Sequence, residues 1–594
     1  MTKNHRPYSP GRLRGGLAAS FAGLALITSP AFAANTTWNG NTDANFGTFA
    51  NWSTGATPSG NTPIFGTAGS SGTTLNNNLS GATFAGLTFN SGASAFTIGG
   101  NSFTLTGNIT NNSTNTQTIN NAITISGGRT IAATSGQLVF GGNITGSAVG
   151  NTTLTPTNKI TLGGTNNLTM NVNFAGFNIG AGAGGVDITG STTITGNSAN
   201  TQSGYLSVAG TSTVTVQSGG SLTINGTTNA STPNSTVGQN AAGTSTLVVN
   251  GGSFNIGANT GFAVGNNLTT AIGVITITSG TATITRGSTT ATDIRSFIAM
   301  GRDTATGTIN LNGGTLATDR NFVRDGSGTA DATGAANFVF GGGTLKALAN
   351  QTDWLNSATI NTNQLALSSV TTTAVSTIDA NSFSVAINNA ISGAGGFNII
   401  SSSGAGTVTF GGTNTYNGAT TITGGTLKIA SGGSISNSAL TINGSGATLT
   451  GSGTVADITL TSGTVAPGDT GIGTLTGSSL TWVGGNTLTF DLSSVDNTAD
   501  LLSLSGALTK SGSGTYAFNF SGGLTGQTYT LINFGSNSGF SASDFSVNSG
   551  TSGTFGLSGT SLTFTAVPEP HEFALAIVGL LGVMVFIRRR NQMS

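Results

Sequence analysis

Short runs of alternating apolar and small polar residues recur along the chain, and no stretch of its body sustains a helical period. Ser212-Thr213-Val214-Thr215-Val216, Thr246-Leu247-Val248-Val249, Val274-Ile275-Thr276-Ile277-Thr278 and Thr308-Ile309-Asn310-Leu311 show the pattern. Successive side chains of a strand point to opposite faces, so such runs predict half-buried strands. Each run leads into a glycine corner and a second strand: Gly219-Gly220-Ser221-Leu222, Gly251-Gly252-Ser253-Phe254, Gly313-Gly314-Thr315-Leu316, Gly342-Gly343-Thr344-Leu345, with Ser279-Gly280-Thr281-Ala282 between. The second residues of these corners fall at 220, 252, 280, 314 and 343, at spacings of 32, 28, 34 and 29. A strand–turn–strand unit of about 30 residues cannot bury its apolar face alone and must stack on its neighbours. The pattern predicts an all-β chain, a right-handed parallel β-solenoid, with stacked Thr and Asn forming ladders between coils. A chain of β-sandwiches is second choice. A propeller is third, because no blade motif is visible.

Composition narrows the chemistry. The chain has 594 residues, 95 of them Gly, with no Cys and only 6% charged residues. The lack of Cys excludes disulfide staples and Cys-ligated metal sites. Lys+Arg 17 balances Asp+Glu 17, so there is no basic stripe for nucleic acid. Both His (His5, His571) and both Glu (Glu569, Glu572) lie near the ends, so residues 34–566 contain neither. General acid–base, Ser-His-Asp and His–zinc chemistry therefore lack their usual parts there. The body is read as non-enzymatic and free of cofactors.

The two ends read as addresses. A basic region from Lys3 to Arg14, an apolar stretch from Leu17 to Ile27 and Ala31-Phe32-Ala33 form a secretory signal peptide over residues 1–33. Small residues at Ala31 and Ala33 predict cleavage after Ala33, which makes the Sec translocon and signal peptidase the first partners. At the other end, Pro568-Glu569-Pro570 precedes an apolar segment, 573–587, and Arg588-Arg589-Arg590. The apolar segment is roughly 22 Å long as a helix, short of the ~30 Å hydrocarbon core. The arginines should stay cytoplasmic, with the body outside. Residues 567–594 resemble the PEP-CTERM sorting signal: a Pro-Glu-Pro motif, a short membrane helix and a basic stop. The resemblance implies recognition by an exosortase, a transient inner-membrane anchor, and release or transfer to the cell surface or extracellular matrix.

A second resemblance covers 404–482. Gly406-Thr-Val-Thr-Phe-Gly-Gly-Thr-Asn-Thr-Tyr-Asn-Gly418, Thr420-Thr-Ile-Thr-Gly-Gly-Thr-Leu-Lys428 and Gly463-Thr-Val-Ala-Pro-Gly-Asp469 look like the autotransporter-associated β-strand repeat. That family implies solenoid coils of an exported passenger. Residues 483–566 are expected to form a β-rich cap and 67–403 the earlier solenoid repeats. The 83 residues from 484 to 566 are too few for the usual autotransporter barrel, so self-secretion is not expected. Over 34–66, Trp38 and Trp52 predict an N-terminal capping segment, with sugar stacking on exposed Trp as the alternative.

One charged cluster stands out: Arg286, Asp293, Arg295, Arg302, Asp303, Asp319, Arg320, Arg324, Asp325 and Asp331. At one coil per ~30 residues, Arg295 and Asp325 are expected to stack on one face. Asp293, Arg295, Arg302, Asp303, Arg324 and Asp325 are thus candidates for a glycan groove, against the plainer reading of solvated ion pairs. Gly180-Ala-Gly-Ala-Gly-Gly185 satisfies G-x-G-x-x-G, but a strand follows it where a nucleotide site needs a helix. The expected role is a structural or adhesive element of the cell surface, with extracellular polysaccharide as partner. The alternatives are a β-helix lyase or hydrolase and a glycan-specific adhesin.

Overall fold

The computed structural model describes residues 33–567, except 173, 198–201, 228–234, 240, 268–269, 291–292, 326–332, 359–363 and 470, together with 580–585 and 587–589. It is a β protein in which almost every ladder is parallel. Early in the chain, Thr62–Phe65, Thr74–Asn77 and Ala82–Phe84 form three successive strands. The next coil repeats them as Leu87–Phe89, Thr97–Gly100 and Phe103–Leu105. Each strand pairs with the third one after it: Ile64 with Thr88, Leu75 with Ile98, Phe84 with Leu105. The chain therefore winds as a three-sided coil whose faces are parallel sheets, the architecture of a β-solenoid. Parallel sheets need both faces covered. Here one face of each sheet lines a shared core running from Trp38 to Ala566.

The short strands obey a simple rule. Leu87-Thr-Phe89, Phe103-Thr-Leu105 and Ile123-Thr-Ile125 bury their outer two residues and turn the middle Thr outward. Stacking then aligns like with like, as in the column Thr83, Thr104, Thr124, Thr145. Side-chain bonds run between coils in the same way. Ser221 Oγ lies 3.0 Å from Ser191 Oγ, Asn255 Nδ2 3.3 Å from Thr223 Oγ1, and Asn250 Nδ2 3.1 Å from Gln217 Oε1.

The glycine corners mark the register. Ser221, Ser253, Thr281, Thr315 and Thr344, each one residue past a corner, form a single stacked column. The spacings of the sequence repeat are thus the coil lengths themselves. They do not hold throughout. Leu87, Ile109 and Ile131 stack at steps of 22 residues, and Ile422 stacks on Ile442 at 20. The ~30-residue period belongs to the middle of the array, where loops lengthen the coils.

The first sheet ends where Asn321–Asp325 pairs antiparallel with Gln364–Leu365. From Ser434 a seven-stranded sheet takes up the third side. Residues 404–482 continue the coils: Val408 stacks on Leu427 and Leu427 on Leu449. Within 483–566, Thr487–Leu492, Tyr516–Gly522 and Phe545–Ser549 are still parallel neighbours. Only the final ladders, Thr528–Asn533 with Ser561–Ala566 and Gly553–Leu557 with Ser561–Ala566, are antiparallel. Phe520, Phe555 and Phe564 pack together at this closure, Phe520 and Phe564 with centroids 4.2 Å apart.

At the other end, Trp38 and Trp52 form an antiparallel bridge and meet edge to face at 5.1 Å. Each is 2% exposed, so neither offers a ring face to a sugar. Among the described residues no helix is long and apolar enough to cross a membrane. Residues 580–585 and 587–589 are helical; Ala31, Pro568, Glu569, Pro570, Arg590 and the start of the 573–587 segment lie outside the described residues.

Candidate functional site

The charged cluster sits on the last coils of the first sheet, where the chain makes its largest excursion. Val264 stacks on Met300, 36 residues on, whereas Met300 stacks on Arg324, 24 residues on. The uneven step overturns the expected stacking of Arg295 on Asp325. Arg295 instead grips Asp293, two residues earlier, through Nε to Oδ1 at 2.9 Å and Nη2 to Oδ2 at 2.6 Å. These hydrogen bonds hold the Asp293 carboxyl below the usual carboxylate range and push the guanidinium up. Asp325 belongs to Arg302, whose Nε donates to Oδ2 at 2.6 Å. That pair is buried, and Arg302 Nη1 also reaches Asn266 Oδ1 and Asn267 Oδ1.

The remaining charges are also committed to structure. Arg320 is fully buried and donates to the carbonyls of Thr285, Gly257 and Thr260 at 2.8, 3.2 and 2.9 Å. Burial pushes its pKa down to about 10. Arg324 Nη1 donates to the Gly334 carbonyl, and Asp303, in the left-handed region at φ +57°, donates its N–H to the Asp325 carbonyl. Asp319 Oδ1 accepts the backbone N–H of Arg286. Asp331 lies outside the described residues. The six candidate groove residues form two separate ion pairs and two backbone-anchored corners, and none of them lines the neighbouring pocket.

That pocket, of about 230 Å³, opens beside the cluster on the outer surface of the first sheet. Ala263, Ala299 and Val323 point away from the lumen yet are buried, because Ile294 and Phe297 of the excursion fold over them. Phe297, Asn321 and Val323 contribute the floor, Arg286, Thr289 and Ser296 one wall, and Asn350, Gln351, Thr352 and Gln364 the other. Asn350 Oδ1 accepts from Ser384 N, which fixes the amide and leaves its nitrogen free to donate. Gln351 Nε2 donates to the Asp319 carbonyl and leaves its oxygen to accept.

Sequence reasoning missed these amides because Asn, Gln and Thr are everywhere in the chain. Only the long 252-to-280-to-314 spacing marks the excursion that builds the wall. Among the described residues no group of three or more His, Cys, Asp or Glu is placed to hold a metal ion. No protein-family model matches the chain, and none of the curated proteins is a match to it.

Proposed function

We propose that the chain is an exported structural or adhesive element of the cell surface or extracellular matrix, its body a right-handed β-solenoid closed by a β-rich C-terminal cap. The signal peptide carries it out. The PEP-CTERM-like tail holds it by a short membrane helix until an exosortase acts at Pro568-Glu569-Pro570. The observation that supports this reading most is the use of polar groups in the body. Lys159–Asp187, Lys346–Asp379, Lys428–Asp469 and Lys510–Asp544 each tie distant parts of the coil together, and Asn, Ser and Thr side chains bond to the neighbouring coil. The side-chain chemistry is spent on stiffness. At ~4.8 Å per stacked strand, the array extends on the order of 90 Å, a span suited to bridging a surface and its matrix.

The test is a strain lacking the chain. Loss of matrix cohesion, restored by the full chain and not by a version without residues 404–566, supports the reading. An unchanged matrix, or a purified chain that depolymerises the matrix glycan, overturns it, the latter in favour of a β-helix lyase or hydrolase.

A further inference from the structure

Ten Lys and Arg lie between residues 34 and 566, and nine have their side-chain charge engaged. Lys159, Arg295, Arg302, Lys346, Lys428 and Lys510 hold an Asp. Arg129, Arg320 and Arg324 donate to backbone carbonyls. Arg286 is the exception: among the described residues its guanidinium makes neither a hydrogen bond nor an ion pair, and it lines the pocket on the outer face of the first sheet. Its backbone N–H is anchored by Asp319 Oδ1 at 2.5 Å, so the side chain is held at its root and free at its tip.

We infer that this groove binds an acidic polysaccharide, one residue of a chain bearing carboxylates of the uronate kind. Three features of the lining match that chemistry. Arg286 supplies a cation with a planar donor fork suited to a carboxylate. The Asn350 nitrogen and the Gln351 oxygen, each fixed through its other end, present one donor and one acceptor, the pairing that vicinal sugar hydroxyls require. Phe297 and Val323 give the floor an apolar part for the C–H face of a ring. No carboxylate lines the pocket to repel an anion. At about 230 Å³ the site is smaller than the ~300–1,000 Å³ usual for an enclosed small molecule. It suits one sugar of a polymer that runs on across the open sheet.

The inference rests on the surface reading for the source of the glycan, and its test does not. The purified, processed chain is titrated calorimetrically with an oligogalacturonate, a maltooligosaccharide of equal length and poly-glutamate. The oligogalacturonate binds, Arg286→Gln weakens it about tenfold or more, and Asn321→Ala weakens it several-fold. The neutral sugar binds far more weakly than the acidic one. Since the Arg286 guanidinium holds nothing in the fold, R286Q keeps the wild-type melting curve, and Arg286→Lys provides a second variant with intermediate affinity. No binding, equal binding by R286Q, or poly-glutamate bound as well as the uronate overturns the inference, the last in favour of an acidic peptide. A chain that never leaves the cell overturns the surface reading and leaves the titration as it stands.

Discussion

Two glycines of adjacent coils separate the two reasons a corner requires glycine. Gly219 sits at φ +80°, with open space where a Cβ would project; Gly252 has no such backbone constraint, but a Cβ there would lie 2.5 Å from Gln217 O and 2.7 Å from both Gly220 O and Val216 Cγ1. Gly219→Ala therefore introduces backbone strain alone. The left-handed region costs an L-residue about 1–2 kcal/mol, and the stiffer unfolded chain returns ~0.4–1 kcal/mol, for a net loss of about 1 kcal/mol. Gly252→Ala meets two carbonyls of the coil beneath, which are fixed in the parallel ladder and cannot swing aside. Relief requires the coils to part, at the upper end of the ~1–3 kcal/mol typical of overpacking. Urea unfolding of the purified chain measures both losses. Amide hydrogen exchange over Ser221–Asn225 and Gly243–Ile256 locates them, since stability in a stacked array is local. Gly252→Ala should lower protection on both coils, and Gly219→Ala should lower it less. A Gly252→Ala variant as stable as Gly219→Ala would refute the stacking contact deduced from the register.

Two further predictions concern buried ionisable groups. Arg320→Ala leaves the carbonyls of Gly257, Thr260 and Thr285 without this donor. At ~1–3 kcal/mol per abandoned group, less the burial cost recovered, it should destabilise by about 3 kcal/mol, read as a lower urea midpoint; an unchanged midpoint contradicts the role. Asp500 is 2% exposed, and burial pushes its carboxyl up to about 6, against the pull of N–H groups donated by Asp491 and Gly473. A raised carboxyl pKa gives stability that is fully present below the unfolded value near 4 and lost as pH rises through about 6. Acidification from pH 7 to 4.5 should thus stabilise the segment around residues 468–504 by up to about 3 kcal/mol, and Asp500→Asn should flatten that slope in a pH series of urea midpoints.

The stacking was legible in the sequence wherever the corner glycines are regular. The column from Ser221 to Thr344 follows the glycine spacing residue for residue. Elsewhere the coil length was not legible, because strands such as Leu87-Thr-Phe89 and Ile109-Thr-Asn111 are three residues long and leave no corner signature. The charged cluster was visible as a cluster, but its pairings were not. Arg295 meets Asp293 and Arg302 meets Asp325 because the excursion between Ile284 and Phe297 shifts the register, and only the fold shows how far. Arg286 carried no distinction in the sequence from its four neighbouring arginines. It becomes distinct once the other four are seen to be occupied.

The most direct test of the account is the intact mass and fractionation of the native protein, with Pro568-Glu569-Pro570 changed to Ala in parallel. The account predicts a wild-type chain outside the cell that begins after Ala33 and has lost its tail, and a variant that keeps the tail and stays in the membrane fraction. If both versions retain Phe573 to Arg590 in the membrane, the tail is an anchor only, and sorting to the matrix is contradicted.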